Sequence, residues 1–261
     1  MPVTYEERGL IAVIAIGRPQ KRGALDGAGY RALAQAWDRV AATPSVRVAV
    51  LTGTGASFCS GSDLANFTSG ESAGSGGDDI VRFGSQAVLR NIDFPKPIVA
   101  AVGGPCMGSG FEVLLASDLR YATSDAVFGL PEVRRGLFSG GASTIRLPRQ
   151  IPHTRAMEIL LTGRKFSADE ALAWGILTEI VPREELLGHA LTMAGMIAAN
   201  SPTAVQATKF SALKGLRDNL EKAHEIEQQC AMRVFSGPDA REGPRAFFER
   251  REPVWVDALP D

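Results

Sequence analysis

Two glutamates and two glycine-rich loops are the parts of this chain whose residue types offer chemistry. Glu112 follows the run Gly103-Gly-Pro-Cys-Met-Gly-Ser109-Gly-Phe-Glu112, and Glu132 follows Pro131 in Phe128-Gly-Leu-Pro-Glu-Val133. A pair of carboxylates brought to one cleft can do general acid–base work, one taking a proton while the other gives one. The loops are 53–62, in which Ser57-Phe-Cys-Ser-Gly-Ser62 runs up to Asp63, and the one from Gly103 up to a helix expected from about Ser109 to Ala116. Each follows an apolar run and precedes a helix-like pattern. Backbone N–H groups at a helix start have no intrahelical acceptor, and the helix dipole makes them more electropositive. Two such groups aimed at one point form an oxyanion hole, in which each donor contributes about 3 kcal/mol to transition-state stabilisation.

Local readings compete with these. Ser109-x-x-Glu112 has the spacing of a capping box, which would engage Glu112 in ending its own helix. Glu132 beside a proline also fits a solvated turn. Gly108-Ser-Gly110 has no glycine at the third position of the dinucleotide fingerprint, and no Gly-x-Ser-x-Gly elbow is present. The histidines, His153, His189 and His224, have no metal-ligand spacing with each other or with cysteine. The sequence therefore suggests a mechanism with neither metal nor flavin.

The elements that must position these groups are legible from pattern. Val3–Glu7 and Leu10–Ile16 flank Arg8-Gly9 and predict a hairpin. Asp26 predicts a helix N-cap, with Leu33, Trp37 and Val40 following at helical spacing. Val46–Thr52 and Ile98–Val102 are continuous apolar runs and predict strands buried on both faces. Leu119–Ala122 and Ala126–Phe128 predict shorter strands. Residues 68–77 are rich in glycine and serine and predict a flexible interruption. Ser167-Ala-Asp-Glu170 is a second capping box, and helices are expected over Arg155–Thr162, Glu184–Asn200, Thr203–Leu213, Asn219–Phe235 and Arg241–Arg250. The division expected is a core over 1–200 and a helical C-terminal region over 201–261.

Composition sets the frame. The chain has 261 residues, 45% apolar and 22% charged, with a net charge of −1. That balance draws it neither to nucleic acid nor to a membrane surface. Cys59, Cys106 and Cys230 form no disulfide pattern and suggest a reducing compartment. The start carries two acids and no apolar stretch, so a cytoplasmic location is expected.

Several blocks in order resemble the crotonase (enoyl-CoA hydratase/isomerase) family over nearly the whole chain. They are Arg18-Pro-x-Lys-Arg-x-Ala-Leu25, Val48-Ala-Val-Leu-Thr-Gly53 through Phe58-Cys-Ser-Gly-Ser-Asp-Leu64, and Lys96 to Asp118. Phe128 to Gly136 with Gly140-Gly141 and Arg146-Leu-Pro148 follows, then Leu161-Thr-Gly-Arg164 with Ala168-x-Glu-Ala171 and Gly175, and last Ser201-Pro202 with Ala207-Thr-Lys209. The resemblance implies an α/β fold, a spiral of repeated ββα units with a C-terminal helical trimerisation region, assembled as a homotrimer or a dimer of trimers. It implies an acyl-CoA thioester substrate, no separate cofactor, and oxyanion donors at the backbone N–H of Ser62 and Ser109. The family more often has Ala and Gly at these two places. It places the two catalytic acids at Glu112 and Glu132, and implies hydration of trans-2-enoyl-CoA to 3-hydroxyacyl-CoA. Glu112 would chiefly activate water and Glu132 would deliver the C2 proton. The alternative is an enoyl-CoA double-bond isomerase or another acyl-CoA lyase or hydrolase of the same family, and the alternative of a different class is a non-catalytic or RNA-binding crotonase-like protein. Lys21, Arg22 and Lys209 are candidates for the CoA phosphates, with Lys214 a further one. Phe247, Phe248 and Trp255 are candidates for an acyl pocket or a subunit contact.

Overall fold

The computed structural model describes residues 1–65, 75–90 and 93–256. The hairpin forms as the pattern predicts. Strands β1 (Val3–Arg8) and β2 (Ile11–Ile16) pair antiparallel, and Gly9 takes the left-handed turn at φ 61°. Strand β3 (Val48–Gly53) adds parallel to β2, β4 (Ile98–Val102) to β3, β6 (Leu119–Ala122) to β4, and β9 (Glu179–Ile180) to β6. The result is a six-stranded sheet in the order β1-β2-β3-β4-β6-β9.

Residues 48–51 of β3 and all of β4 are apolar at every position because both faces are covered. Ile14, Ala49, Leu51, Ile98, Ala100 and Val102 enter the larger core, with Leu33, Trp37 and Val40 of helix α1 (Gly27–Ala42). The alternate residues Val13, Val48, Val50, Val99 and Ala101 enter a second core, beneath helix α7 (Leu186–Ala198). The period of two in a strand sends neighbours to opposite faces, so an uninterrupted apolar run is what a sheet between two helical layers requires.

A smaller sheet runs alongside, made of β5 (Cys106–Met107), β7 (Val127–Gly129) and β8 (Lys165–Ser167) in the order β5-β7-β8. Two turns of the chain each give a strand to the large sheet, then one to the small layer, then a helical segment. Thus β4 leads to β5 and helix α3 (Ser109–Leu114), and β6 leads to β7 and the short 3-10 turn Pro131–Arg135. This repeat is the ββα spiral of the resemblance. The bridges Leu25↔Ser62 and Cys59↔Cys106 continue the small layer through the first glycine-rich loop.

Helix α2 (Ser75–Ala87) packs on α1. Most of the expected flexible stretch 68–77 lies outside the described residues, and its last three open α2. The remaining helices are α4 (Ser143–Gln150), α5 (His153–Thr162), α6 (Ala168–Ala173), α8 (Pro202–Gly215), α9 (Leu220–Ser236) and α10 (Asp239–Glu249). The capping box at Ser167 and Glu170 is present, and Gly163 ends α5 at φ 60°. Among the described residues, no helix is long and apolar enough to cross a membrane.

Candidate active site

The site is built where the two glycine-rich loops lie side by side. Phe58 and Cys59 N–H both donate to the Pro105 carbonyl at 3.1 Å, and Met107 N–H donates to the Cys59 carbonyl at 2.8 Å. Two residues further on, the Leu25 N–H donates to the Gly61 carbonyl and Asp63 N–H donates to the Leu25 carbonyl, each at 2.8 Å. In a parallel bridge of that kind the intervening residue, Ser62, turns its own N–H away from Leu25. Gly61 there packs on the start of α3, where a Cβ on it would lie 3.4 Å from the Ser109 nitrogen. Ser109 is the first residue of α3, so its N–H has no intrahelical acceptor. Neither amide donates to an acceptor among the described residues. Arg18 fixes this register, pairing with Asp26 at 3.0 Å and Asp63 at 3.1 Å while donating to the Ala24 carbonyl.

The Ser109/Glu112 capping box does not form. Gly108, at φ 53° and ψ −125°, is the N-cap and no side chain caps the helix. Ser109 Oγ instead contacts Tyr30 Oη at 2.6 Å. Glu112 turns inward, accepting from Gly141 N–H at 2.6 Å and Ser143 Oγ–H at 3.2 Å. It is 5% exposed. Burial pushes its pKa up to about 7. The Gly141 and Ser143 bonds oppose that shift, while the charge of Glu132 adds to it. Gly141 is required for this approach, because a Cβ there would stand 2.2 Å from Glu112 Oε2.

Glu132 lies in the first turn of the Pro131–Arg135 segment, half-buried. The solvated-turn reading therefore fails. Burial raises its pKa too, and its own backbone N–H, Ser139 and Arg135 draw it partly back. Its Oε2 is buried without a hydrogen-bond partner among the described residues. Its Oε1 would stand 2.8 Å from a Cβ on Gly108, so it overlooks the second loop directly.

Ser62, Ser109, Glu112 and Glu132 all line one cavity of about 740 Å³. Lys21 and Arg22 stand at the same cavity, both exposed. Leu137 and Phe138 supply apolar wall, with Ile80 and Val88. Lys209 is placed elsewhere. Its ammonium donates to Asp118 at 2.7 Å and the Lys96 carbonyl at 2.9 Å, with the side chain 10% exposed. That charge ties α8 to the core, and Lys209 does not line the cavity. Lys214 likewise pairs with Asp93. Trp255 donates to the Ala199 carbonyl, while Phe247 and Phe248 are 78% and 82% exposed, and none of the three lines the cavity. His189 packs against Tyr121.

Three site residues were not legible from pattern: Tyr30, Gly141 as a carboxylate donor, and Ser143. The one available signal was Tyr30 itself, since a tyrosine in an apolar helix face needs a partner for its hydroxyl.

Known proteins resemble the chain over nearly its whole length. The family model described as enoyl-CoA hydratase/isomerase matches residues 6–258. An enoyl-CoA hydratase of Mycobacterium tuberculosis is 40% identical over 255 residues, covering 95% of this chain and 94% of the relative. An (E)-benzylidenesuccinyl-CoA hydratase of Thauera aromatica is 38% identical over 259 residues, covering 99% of this chain and 100% of the relative. A crystal structure of an enoyl-CoA hydratase from Bacillus anthracis superposes with a TM-score of 0.89 at 30% identity, covering 99% of this chain and 100% of that one.

Proposed function

The chain belongs to the enoyl-CoA hydratase/isomerase family, and from that premise we propose that it adds water across the C2=C3 bond of a trans-2-enoyl-CoA, giving a 3-hydroxyacyl-CoA. The relatives in the comparison act on CoA thioesters as hydratases and dehydratases by name. The observation that carries the finer reading is that two acids of raised pKa, Glu112 buried and Glu132 half-buried, share one cavity with two unclaimed loop amides.

The chemistry follows from that arrangement. The thioester oxygen accepts from Ser62 N–H and Ser109 N–H. Those bonds strengthen as C3 is attacked and charge moves onto the oxygen, so they stabilise the enolate more than the substrate. Glu112, held by Gly141 and Ser143, takes the proton of the attacking water. Glu132 gives its proton to C2. Addition of water needs one base and one acid together, and two carboxyls of raised pKa lining one cavity supply that pair. Lys21 and Arg22 take the CoA phosphates. CoA enters as part of the substrate, and no further cofactor is required. The exposed Phe235, Phe247, Phe248 and Met232 on the helical tail support assembly into a homotrimer or a dimer of trimers.

The direct test is crotonyl-CoA with the purified protein, followed by loss of the conjugated-enoyl absorbance. Decay to an equilibrium mixture with 3-hydroxybutyryl-CoA is expected. An unchanged spectrum at substrate-saturating concentration, with binding shown independently, would rule the reaction out.

A further inference from the structure

Three hydroxyls meet beside the two loop amides. Tyr30 Oη lies 2.6 Å from Ser62 Oγ and 2.6 Å from Ser109 Oγ, while the two serine oxygens are 3.2 Å apart. All three residues line the cavity.

Counting protons decides what this cluster does. Tyr30 has one proton and two short contacts, so it donates to one serine and accepts from the other. The serine that accepts keeps its own proton free. The 3.2 Å contact is long for an O–H···O bond, whose usual length is about 2.7–2.8 Å, so the ring is weakly closed there. Ser109 is 8% exposed and its contact with Tyr30 is buried, whereas Ser62 is more open. The free proton therefore belongs on Ser62, the end of the relay that faces the cavity.

We infer that Ser62 is a double donor to the thioester oxygen, through its N–H and its Oγ–H, and that Tyr30 is the positioning residue that sets the direction of that hydroxyl. The relay runs from Ser109 Oγ–H to Tyr30 Oη, and from Tyr30 O–H to Ser62 Oγ. Burial pushes the Tyr30 phenol up to about 12, so it stays protonated and the relay does not reverse across neutral pH. The hole then has three donors where the loops alone supply two. This deepens the proposed function and rests on it.

The test uses acetoacetyl-CoA, whose bound enolate is visible in the near ultraviolet, with wild type, Tyr30→Phe, Ser62→Ala and the double variant. Phenylalanine keeps the ring that α1 packs, and alanine keeps the Ser62 amide. Ser62→Ala should cut the bound enolate fraction and kcat/KM on crotonyl-CoA about tenfold, and Tyr30→Phe about fivefold. The double variant should match Ser62→Ala alone, because Tyr30 acts through Ser62. Additive losses would assign Tyr30 to packing and overturn the inference, as would enolate formation unchanged in Ser62→Ala. A wild type that neither binds nor ionises the probe would overturn the hydratase reading and this inference with it. A wild type that ionises it no better than both variants would overturn this inference alone.

Discussion

The segments that carry the two acids are built to opposite ends. Glu112 stands on a helix whose six residues are all buried, and two donors hold one of its oxygens. Glu132 stands on a 3-10 turn with no fully buried residue, and its Oε2 has no partner among the described residues. A carboxylate with two donors is fixed in direction before substrate arrives. One with an unclaimed oxygen depends on substrate or water to complete it. The difference suits the roles proposed: the water-activating group is held still, and the C2 proton donor retains a site for the atom it serves.

Replacing either acid by its amide should have the largest effect. Glu112→Gln and Glu132→Gln should each lower kcat about 10²–10⁴-fold with KM little changed, because the amide keeps shape and loses the proton. Steady-state kinetics on crotonyl-CoA checks this, and a mild loss in either would break the symmetry of need between the acids. Gly141→Ala sharpens the contrast. A Cβ 2.2 Å from Glu112 Oε2 must displace the carboxylate, and kcat should fall about 10²-fold, with Glu132 untouched.

Stability gives a third view. The Glu112 carboxyl is raised from 4.5 to about 7, so its protonated form is favoured by folding. The stabilisation is fully present below pH 4.5 and is lost as pH rises through 7. At pH 8 the folded protein keeps a buried charge at a cost on the order of 2–3 kcal/mol. Glu112→Gln should therefore melt higher than wild type at pH 8, with the gap closing at pH 4.5. A gap independent of pH would contradict the burial argument. The smallest effect belongs to the cavity's cations. Lys21→Ala or Arg22→Ala should raise KM about two- to fivefold with kcat unchanged, as befits exposed charges.

The fold was legible where local physics decides it. β3 and β4 read as strands buried on both faces because alternate residues feed two cores. Asp26 read as an N-cap and accepts from Gly29 N–H at 2.9 Å. The site was legible only through the ordered blocks of family resemblance. Its partners stand far apart in the chain: Glu112 and Gly141 are joined across 29 positions, and Tyr30 and Ser109 across 79. No window of sequence contains such pairs. Local rules also misled. Ser109 and Glu112 have capping-box spacing, yet Gly108 adopts a left-handed φ and becomes the cap, which frees both side chains for the cavity. Lys209 is a candidate for the CoA phosphates by resemblance, and its pairing with Asp118 is set by how α8 docks, which spacing does not encode.

The most direct measurement of the two-acid account is crotonyl-CoA turned over in D₂O, with the product read by mass spectrometry and NMR. Wild type should give 3-hydroxybutyryl-CoA with one non-exchangeable deuterium at C2, and Glu132→Gln should form it at least about 10²-fold more slowly. Deuterium delivered to C2 at the wild-type rate without Glu132, or label at C4 in place of C2, would contradict it.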